Sequence, residues 1–441
     1  MMVEIKKVLI LLSLVSIMNY ACNNSQTVKK NSKEDPRKVE VKQTDGKYRL
    51  FVDGEEFYVN GAGLEFGNIE TLAECGANSF RTWRTDNGRR PGKEVLDEAK
   101  QYGLLVLMGI EVGRERHGFD YSDTAWVAEQ KEDIRRQVME LKDHPALLAW
   151  GIGNELNLLY TNNKVWDAVN DIAKMIHEID GNHPTTTMLA GINKEEVDYI
   201  KEYCPELDFL CVQFYGDIEN LATRIEDAGY DGPYLVTEWG ATGHWEVPTT
   251  PWGAPIEQTS TEKAEAVKYR YESAILADES NCMGSYVFLW GQKQERTPTW
   301  YGLFTENGEM MEAINVMQYF WTGKWPRNLA PTILSAEMNG LTRYAGITVK
   351  AGSENTATVE YSDPDGDKIL FECEIMREAT DLGEGGDFES RPESIVTNIN
   401  CSPEGKISFV APEEPGEYRL FIYVKDHHNH AGTVNIPFKV E

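Results

Sequence analysis

The chain has 441 residues, with 43 Lys and Arg against 72 Asp and Glu, which gives a formal net charge of −29 at pH 7. This length exceeds that of one ordinary domain and suits a large domain with a small one. Because phosphate backbones are anionic, so negative a chain disfavours nucleic acid as a partner. We therefore expect a neutral partner and no nucleic acid.

The first residues have the organisation of an export signal. Two lysines precede an apolar stretch at 8–18, which is too short to cross a bilayer. Ala21 directly before Cys22 resembles the cleavage site of bacterial lipoproteins. That resemblance implies a signal peptide at 1–21, lipidation of Cys22 and a polar tether at 22–38. The expected location is the outer membrane, on its surface or periplasmic face; an ordinary signal peptide cut nearby is the alternative.

Apolar runs alternate with amphipathic segments eight times after a short hairpin region at 39–58. This alternation is typical of an α/β fold of the (β/α)₈ barrel type, which we predict at 39–326. An open doubly wound sheet is disfavoured, because no glycine-rich phosphate loop follows the first strand. The predicted strands lie at 57–61, 79–83, 104–111, 147–155, 185–189, 209–215, 234–238 and 285–290, and the predicted helices include 93–102, 124–142, 165–179, 218–228 and 261–276.

The remaining residues, 327–441, predict an immunoglobulin-like β-sandwich. Its strands are expected at 347–349, 356–361, 370–375, 406–410, 418–425 and 433–440. An acidic run at 363–367 is explained better by a hairpin turn than by calcium. Three histidines, His427, His428 and His430, are interpreted as a solvated loop rather than a metal site, and we expect no metal.

Six further cysteines follow Cys22, and none has the spacing of a metal site. Cys373 and Cys401 could form a disulfide within the sandwich, since export permits one. Buried free thiols are the alternative for these two and the expectation for the others, which are Cys75, Cys204, Cys211 and Cys282.

Two glutamates, Glu155 and Glu238, each close an apolar run, at the ends of the fourth and seventh predicted strands. Strands three steps apart in an eight-stranded ring face each other across its mouth. Two carboxylates in such a cleft can hydrolyse glycosides if their pKa values are pushed apart. Arg81 ends the second predicted strand and Tyr215 the sixth, on the side of the seventh strand, so both could donate to Glu238. The alternative for Arg81 is a surface salt bridge, and that for Tyr215 is a core aromatic.

The sequence Gly153-Asn154-Glu155, with Glu238-Trp239-Gly240, resembles the clan of retaining glycosidases that have a (β/α)₈ barrel and two catalytic glutamates. The resemblance implies that Glu155 is the acid/base and Glu238 the nucleophile. It implies that Asn154 donates to the sugar 2-hydroxyl, and that Arg81 and Tyr215 hold Glu238. It also implies that Trp290 forms the platform under the reacting sugar.

Within that clan, the architecture is most similar to glycoside hydrolase family 158, which implies endo-acting hydrolysis of β-1,3-glucan (laminarin). The segment 76–83 also resembles family 2 barrels, which normally carry sandwich domains before the barrel, whereas about 35 residues precede it here after the leader. That departure disfavours an exo-acting galactosidase or mannosidase.

Aromatic and polar side chains at predicted loop positions extend the site. Several tryptophans could stack on sugar faces, with ordinary packing as the alternative for each; they are Trp83, Trp239, Trp245, Trp252, Trp290 and Trp300. Candidate partners for sugar hydroxyls, with loop solvation as the alternative, are Gln213, Gln292, Lys293 and Glu111.

These observations predict a monomeric, retaining endo-β-1,3-glucanase that binds a neutral polysaccharide or oligosaccharide and needs no cofactor. Three alternatives remain open. The protein could be an exo- or endo-β-glycosidase for another β-glycan, such as galactan or mannan. It could be a β-glucan transglycosylase that uses the same residues, or a glycan-binding lipoprotein without activity.

Overall fold

The computed structural model describes residues 35–441 apart from Val396. The predicted signal peptide, Cys22 and nearly all of the tether lie outside the described residues, so their assignment stays a prediction. Within the described part of the chain, none of the helices is both long and apolar enough to cross a membrane.

A small antiparallel sheet covers one end of the barrel. It consists of β1 (Val39–Thr44), β2 (Lys47–Val52) and β3 (Glu55–Phe57). Both of its turns are Asp-Gly pairs with positive φ at the two residues, the geometry that two-residue hairpins favour. Its buried side chains, including Leu50 and Val52, pack in one cluster with the interior side chains of the barrel. The sheet therefore closes that end of the barrel.

The main domain is a closed barrel of eight parallel strands, as the sequence predicts. Most of the strand residues are buried, as expected for parallel strands that are covered by helices outside and by side chains inside. The strands are β4 (Val59–Gly63), β5 (Ser79–Arg81), β6 (Leu105–Ile110), β7 (Leu147–Asn154), β8 (Thr185–Ala190), β9 (Phe209–Gln213), β10 (Tyr234–Glu238) and β11 (Cys282–Val287).

Helices form the outer layer, and their apolar faces build the main core against the strands. The helices are α1 (Ile69–Glu74), α2 (Gly92–Tyr102), α3 (Thr124–Leu141), α4 (Lys164–Ile179), α5 (Lys194–Tyr203), α6 (Leu221–Asp227), α7 (Ser260–Arg270) and α8 (Glu312–Thr322). A capping box starts α7, because Thr259 accepts from the Glu262 backbone while the Glu262 side chain accepts from Thr259. The predicted helix at 261–276 continues beyond α7 as one π-helical turn.

The C-terminal domain is a β-sandwich of a five-stranded and a four-stranded sheet. Six of its strands match predicted ones, whereas β12, β13 and β17 were not predicted. The strands are β12 (Thr332–Met338), β13 (Leu341–Thr342), β14 (Ile347–Val349), β15 (Glu354–Ser362), β16 (Leu370–Arg377), β17 (Ile399–Cys401), β18 (Lys406–Val410), β19 (Gly416–Lys425) and β20 (Ala431–Val440).

Among residues 35–441, the cysteines divide between one disulfide and four thiols. Cys373 on β16 is bonded to Cys401 on β17, and this bridge joins the two sheets of the sandwich. The other described cysteines are free and buried.

The acidic run at 363–367 forms a turn, in which Asp363 Oδ1 accepts from the backbone N–H of Asp367 at 2.7 Å. The turn brings Asp363 and Asp367 within 4.8 Å of the buried Asp426, a cluster to which we assign no function.

The expectation of a solvated histidine loop is wrong for His430. That side chain is 5% exposed and lies 2.9 Å from Asn328 Nδ2, because the loop packs under the segment that enters the sandwich.

Barrel and sandwich meet through buried polar side chains. Glu257, in the loop after β10, accepts from Lys263 Nζ at 2.5 Å and from Thr299 at 2.8 Å within the barrel domain. The same carboxylate accepts from Asn435 of the sandwich at 2.5 Å. Asn435 in turn accepts from Arg419 Nη1 at 2.8 Å. The two domains therefore share one hydrogen-bonded network.

Candidate active site

Glu155 and Glu238 lie at the same rim of the barrel. Glu238 is the last residue of β10 and Glu155 follows β7 directly, and in a parallel barrel all carboxyl ends of the strands open to one face. Both line one cleft with a volume of about 1220 Å³. This exceeds the roughly 300–1,000 Å³ of a typical ligand pocket, so the cleft has room for several sugar units.

Four donors surround the carboxylate of Glu238, which is 5% exposed. Trp83 Nε1 donates to Oε1 at 2.9 Å, and the Tyr215 hydroxyl donates to Oε2 at 2.9 Å. Gln213 Nε2 donates to Oε1 at 3.2 Å, and Arg81 Nη1 lies 3.4 Å from the same oxygen. A buried carboxylate needs such donors, because they replace the hydrogen bonds that water would otherwise give it.

Arg81 is a buried residue of the site and not part of a surface salt bridge. Its side chain is fully buried, and its Nη2 donates to Asn154 Oδ1 at 2.7 Å. The guanidinium carbon lies 4.5 Å from the centre of the Trp83 ring. Arg81 therefore connects the residue before Glu155 with the carboxylate of Glu238.

Tyr215 is held by rings on several sides, although it is only partly buried and borders the cleft. The ring makes edge contacts with Trp245, Phe288 and Tyr301, at centroid distances of 5.6, 5.9 and 5.2 Å. Burial and the charge of Glu238 hold the pKa of the phenol well above its usual value. The hydroxyl therefore stays protonated and remains a donor to Glu238.

Glu155 has a different environment from Glu238. Burial, together with the charge of Glu238, raises the pKa of Glu155 to about 8, although the nearby Arg116 and Arg81 oppose the shift. Its carboxyl group is consequently protonated at neutral pH. One carboxyl group surrounded by donors and another that retains its proton is the asymmetry that acid and nucleophile require.

Asn154 has a fixed side-chain orientation. Its Oδ1 accepts from Arg81 Nη2 and, at 2.8 Å, from Gln213 Nε2. Because these two donors occupy the oxygen, the amide nitrogen remains as the group that can donate to a ligand.

The predicted tryptophans separate into two groups. Trp83, Trp245 and Trp290 border the cleft, with Trp245 60% exposed and Trp290 buried. Trp239, Trp252 and Trp300 are not among the cleft residues. Trp239 instead stacks on Tyr271 at 5.5 Å, because successive residues of a strand face opposite sides and Glu238 faces the cleft.

The predicted polar partners Gln213, Gln292, Lys293 and Glu111 all border the cleft. Gln213 contacts the two central residues Asn154 and Glu238 rather than open solvent. Gln292 Nε2 donates to the Pro298 carbonyl at 3.0 Å, which fixes its side chain.

Sequence reasoning missed Arg114, His117 and a sandwich segment at 384–388, all of which border the cleft. Arg114 Nε donates to the carbonyl of Asn154 at 3.2 Å. Its position just after the third barrel strand was a usable signal, since that rim carries the site. No local pattern marks the sandwich segment as part of the cleft.

The fold and the paired carboxyl groups define a barrel of the glycosidase type. Residues 67–246, which include Glu155 and Glu238, match the model of the family described as "Glycosyl hydrolases family 2, TIM barrel domain". The match is to the barrel of family 2, to which the segment 76–83 also bears a resemblance, and not to family 158. No curated protein matches the chain.

Solved structures share the fold. A β-D-glucuronidase of Dictyoglomus thermophilum has a TM-score of 0.52 at 20% identity, over 66% of this chain and 54% of that one. β-glucuronidase 2 of Bacteroides uniformis has a TM-score of 0.51 at 14% identity, over 91% of this chain and 48% of that one. The chain thus spans about half the length of these structures.

Proposed function

We propose that the protein is a retaining β-glycosidase, with Glu238 as nucleophile and Glu155 as acid/base. The observation that supports this most is the opposite environment of the two carboxyl groups, since four donors surround Glu238 whereas Glu155 has a pKa of about 8. A double displacement needs both an ionised nucleophile and a protonated acid before the reaction starts.

In the first step, Glu238 attacks the anomeric carbon while Glu155 gives its proton to the leaving glycosidic oxygen. In the second step, Glu155 takes a proton from water, and the oxygen of that water displaces Glu238 from the anomeric carbon. Asn154 donates to the 2-hydroxyl of the sugar, a contact that strengthens in the transition state. Tyr215 and Trp83 donate to Glu238, Arg81 pairs with it, and together they orient its carboxylate.

The charge of the cleft supports a neutral substrate. Its lining includes ten Asp and Glu residues against four Arg and Lys residues, so an anionic sugar would meet a net negative site. The two solved relatives are called β-glucuronidases, but the balance of charge here favours a neutral β-glycan over a glucuronide.

The family match bears on which glycosidic linkage the protein cleaves. The match to family 2 supports a β-glycosidase for another β-glycan, such as galactan or mannan, better than it supports β-1,3-glucan. Endo action on β-1,3-glucan is the second candidate, because a cleft of about 1220 Å³ accommodates an internal part of a chain.

Export and lipidation of Cys22 are proposals from the sequence, and the mass of the mature N-terminal peptide would test them.

A 2-fluoroglycoside tests the mechanism, because it traps the glycosyl-enzyme on the nucleophile. We expect added mass on the peptide that contains Glu238, and no label in Glu238→Gln. That variant should lose turnover while oligosaccharide binding remains measurable by calorimetry. Full activity of the variant, or a first product with inverted anomeric configuration by NMR, would overturn the proposal.

A substrate panel tests specificity with laminarin, mixed-linkage glucan, mannan, galactan and an aryl glucuronide. We expect cleavage of one neutral polysaccharide and little activity on the glucuronide. Products longer than the substrate would identify a transglycosylase. No cleavage of any substrate and no labelling by any 2-fluoroglycoside would identify a glycan-binding protein instead.

A further inference from the structure

A loop of the C-terminal sandwich forms part of the cleft wall. This sandwich loop, residues 378–394, follows β16 in the chain, and its residues 384–388 border the same cleft as Glu155 and Glu238. The second domain therefore reaches the site of the first.

Ion pairs hold the tip of the sandwich loop on the barrel. Asp387 accepts from Arg116 Nη2 at 3.1 Å and lies 2.9 Å from His117 Nε2. On another side of the cleft, Lys293 Nζ donates to the carbonyl of Gly386 at 2.7 Å. The barrel loops after the third and eighth strands thus bind the tip of the sandwich loop from two sides.

A buried pair fixes the base of the sandwich loop. Arg296 Nη1 donates to Glu389 at 2.6 Å, and the backbone N–H of Arg296 donates to the other carboxylate oxygen at 2.6 Å. The Glu389 side chain is fully buried and also accepts from the Gly383 N–H at 3.0 Å. A charge buried with three donors is strongly localised, so the loop has a defined position.

The backbone of the loop tip needs glycine. Gly385 and Gly386 both have positive φ, at 56° and 73°. A Cβ at Gly385 would lie 2.4 Å from Leu158 Cδ2, since this part of the tip packs directly on the segment after Glu155. The close approach brings the sandwich loop to the Glu155 side of the cleft.

Phe388 has no packing role that would explain its position. It is 84% exposed although the residues around it are held by ion pairs, and its ring borders the cleft. An apolar ring held in water favours a ligand that covers it, and sugar rings present apolar faces to aromatic side chains. Two other exposed aromatics of the cleft, Phe66 and Trp245, come from barrel loops.

We propose that residues 384–388 form the subsite for the leaving-group sugar, with Phe388 as its stacking platform. The inference rests on the proposed function, in which Glu155 protonates the glycosidic oxygen. The sugar on the departing side of that oxygen must therefore lie next to Glu155, where Arg116 and Leu158 contact the sandwich loop.

Two probes with the same sugar on the nucleophile side separate this subsite from the rest of the site. One is an oligosaccharide of the best polysaccharide in the panel; the other is the matching β-glycosyl fluoride, whose leaving group is fluoride. For Phe388→Ala we expect kcat/KM to fall about tenfold on the oligosaccharide, equivalent to about 1.4 kcal/mol, and to stay unchanged on the fluoride. Phe388→Trp should restore activity on the oligosaccharide.

Leu334→Ala is the matched control, since Leu334 is an exposed apolar residue of the sandwich that does not border the cleft. We expect no change on either probe. Equal loss of Phe388→Ala on both probes, or no loss on either, would overturn the subsite assignment alone. If the wild-type protein cleaves neither probe, the proposed function itself is overturned.

Discussion

Glu155 combines an unusual backbone with a raised pKa. Its φ of 51° lies in the left-handed region, which costs a non-glycine residue of order 1–3 kcal/mol. Packing compensates this strain, and the Glu155 N–H donates to the Met188 carbonyl at 2.9 Å. Backbone strain of this kind concentrates at functional sites. The strained backbone places the carboxyl group at a partly buried position on the rim, where its proton is retained.

The pH dependence of activity follows from that proton. With a pKa of about 8, Glu155 is protonated below this pH and ionised above it, so it can act as an acid only on the low side. We expect kcat/KM on a glycan to fall about tenfold per pH unit above about pH 8. A pH profile of kcat/KM measures this. The glycosyl fluoride, which needs less help from an acid, should show a weaker fall.

Glu155→Gln provides the control for that assignment, because glutamine keeps the shape but has no titratable proton. The variant should lose most activity on glycans, and any residual activity should lack the alkaline fall. An unchanged alkaline fall in the variant would assign the titration to another group.

The hydroxyl of Tyr215 contributes one of the short bonds to Glu238. Tyr215→Phe removes this donor and keeps the ring contacts, so folding should be unaffected. Hydrogen bonds to charged groups contribute about 1.5–3 kcal/mol, so kcat/KM should fall by about 10- to 150-fold. Steady-state kinetics on the panel substrate measures the loss.

Tyr301→Phe is the matched control for Tyr215. The Tyr301 hydroxyl accepts from the backbone of His244 at 3.1 Å and does not bond Glu238. A loss as large in Tyr301→Phe would show that Tyr215 acts through packing instead of through its hydroxyl.

At the scale of elements, the barrel depends on close contacts between strands. Gly61 on β4 has no room for a side chain, because a Cβ would lie 2.4 Å from the Ser79 carbonyl and 2.7 Å from the Tyr286 ring. The neighbouring strand cannot move away without loss of barrel hydrogen bonds. Gly61 therefore sets how closely the first two barrel strands and the Tyr286 ring approach.

Gly61→Ala is expected to destabilise the protein by about 1–3 kcal/mol through overpacking. Gly181→Ala is the control, since a Cβ there meets nothing within 4 Å. That change should be neutral or slightly stabilising. Thermal unfolding of both variants measures the difference; equal melting temperatures would contradict the tight packing at Gly61.

At the scale of the whole molecule, the buried network around Glu257 couples the sandwich to the barrel. Asn435→Ala removes one donor to Glu257 and the acceptor of Arg419, and leaves both groups buried. Glu257 still accepts from Thr297, whereas Arg419 Nη1 loses its acceptor, so we expect a loss of stability of about 1–3 kcal/mol. The loss should affect both domains, because the network belongs to both.

Calorimetry distinguishes coupled from independent domains. Coupled domains unfold in one transition that shifts to lower temperature in Asn435→Ala. The exposed Asn400 of the sandwich offers a matched control, and Asn400→Ala should leave the transition unchanged. Two transitions, of which only one shifts, would contradict the coupling.

The architecture and the place of Glu155 and Glu238 at the barrel rim could be predicted from local patterns in the sequence. Barrel strands leave short apolar runs, and helices leave apolar residues at helical spacing, so both patterns are local and readable. Glu155 and Glu238 could be placed at one rim because a parallel barrel directs the carboxyl ends of all strands to one face. The strands β12, β13 and β17 escaped prediction, since β12 alternates weakly and the others have two or three residues.

The construction of the site, in contrast, depends on how distant parts of the chain pack together. Local sequence could not tell that Trp83 faces Glu238 whereas Trp239 packs on Tyr271, or that burial and a neighbouring charge raise the pKa of Glu155. It could not bring the sandwich loop with Phe388 to the cleft. These features depend on contacts between residues far apart in the chain. Such contacts leave no periodicity in the sequence, because the local pattern around each residue reflects only its own helix or strand.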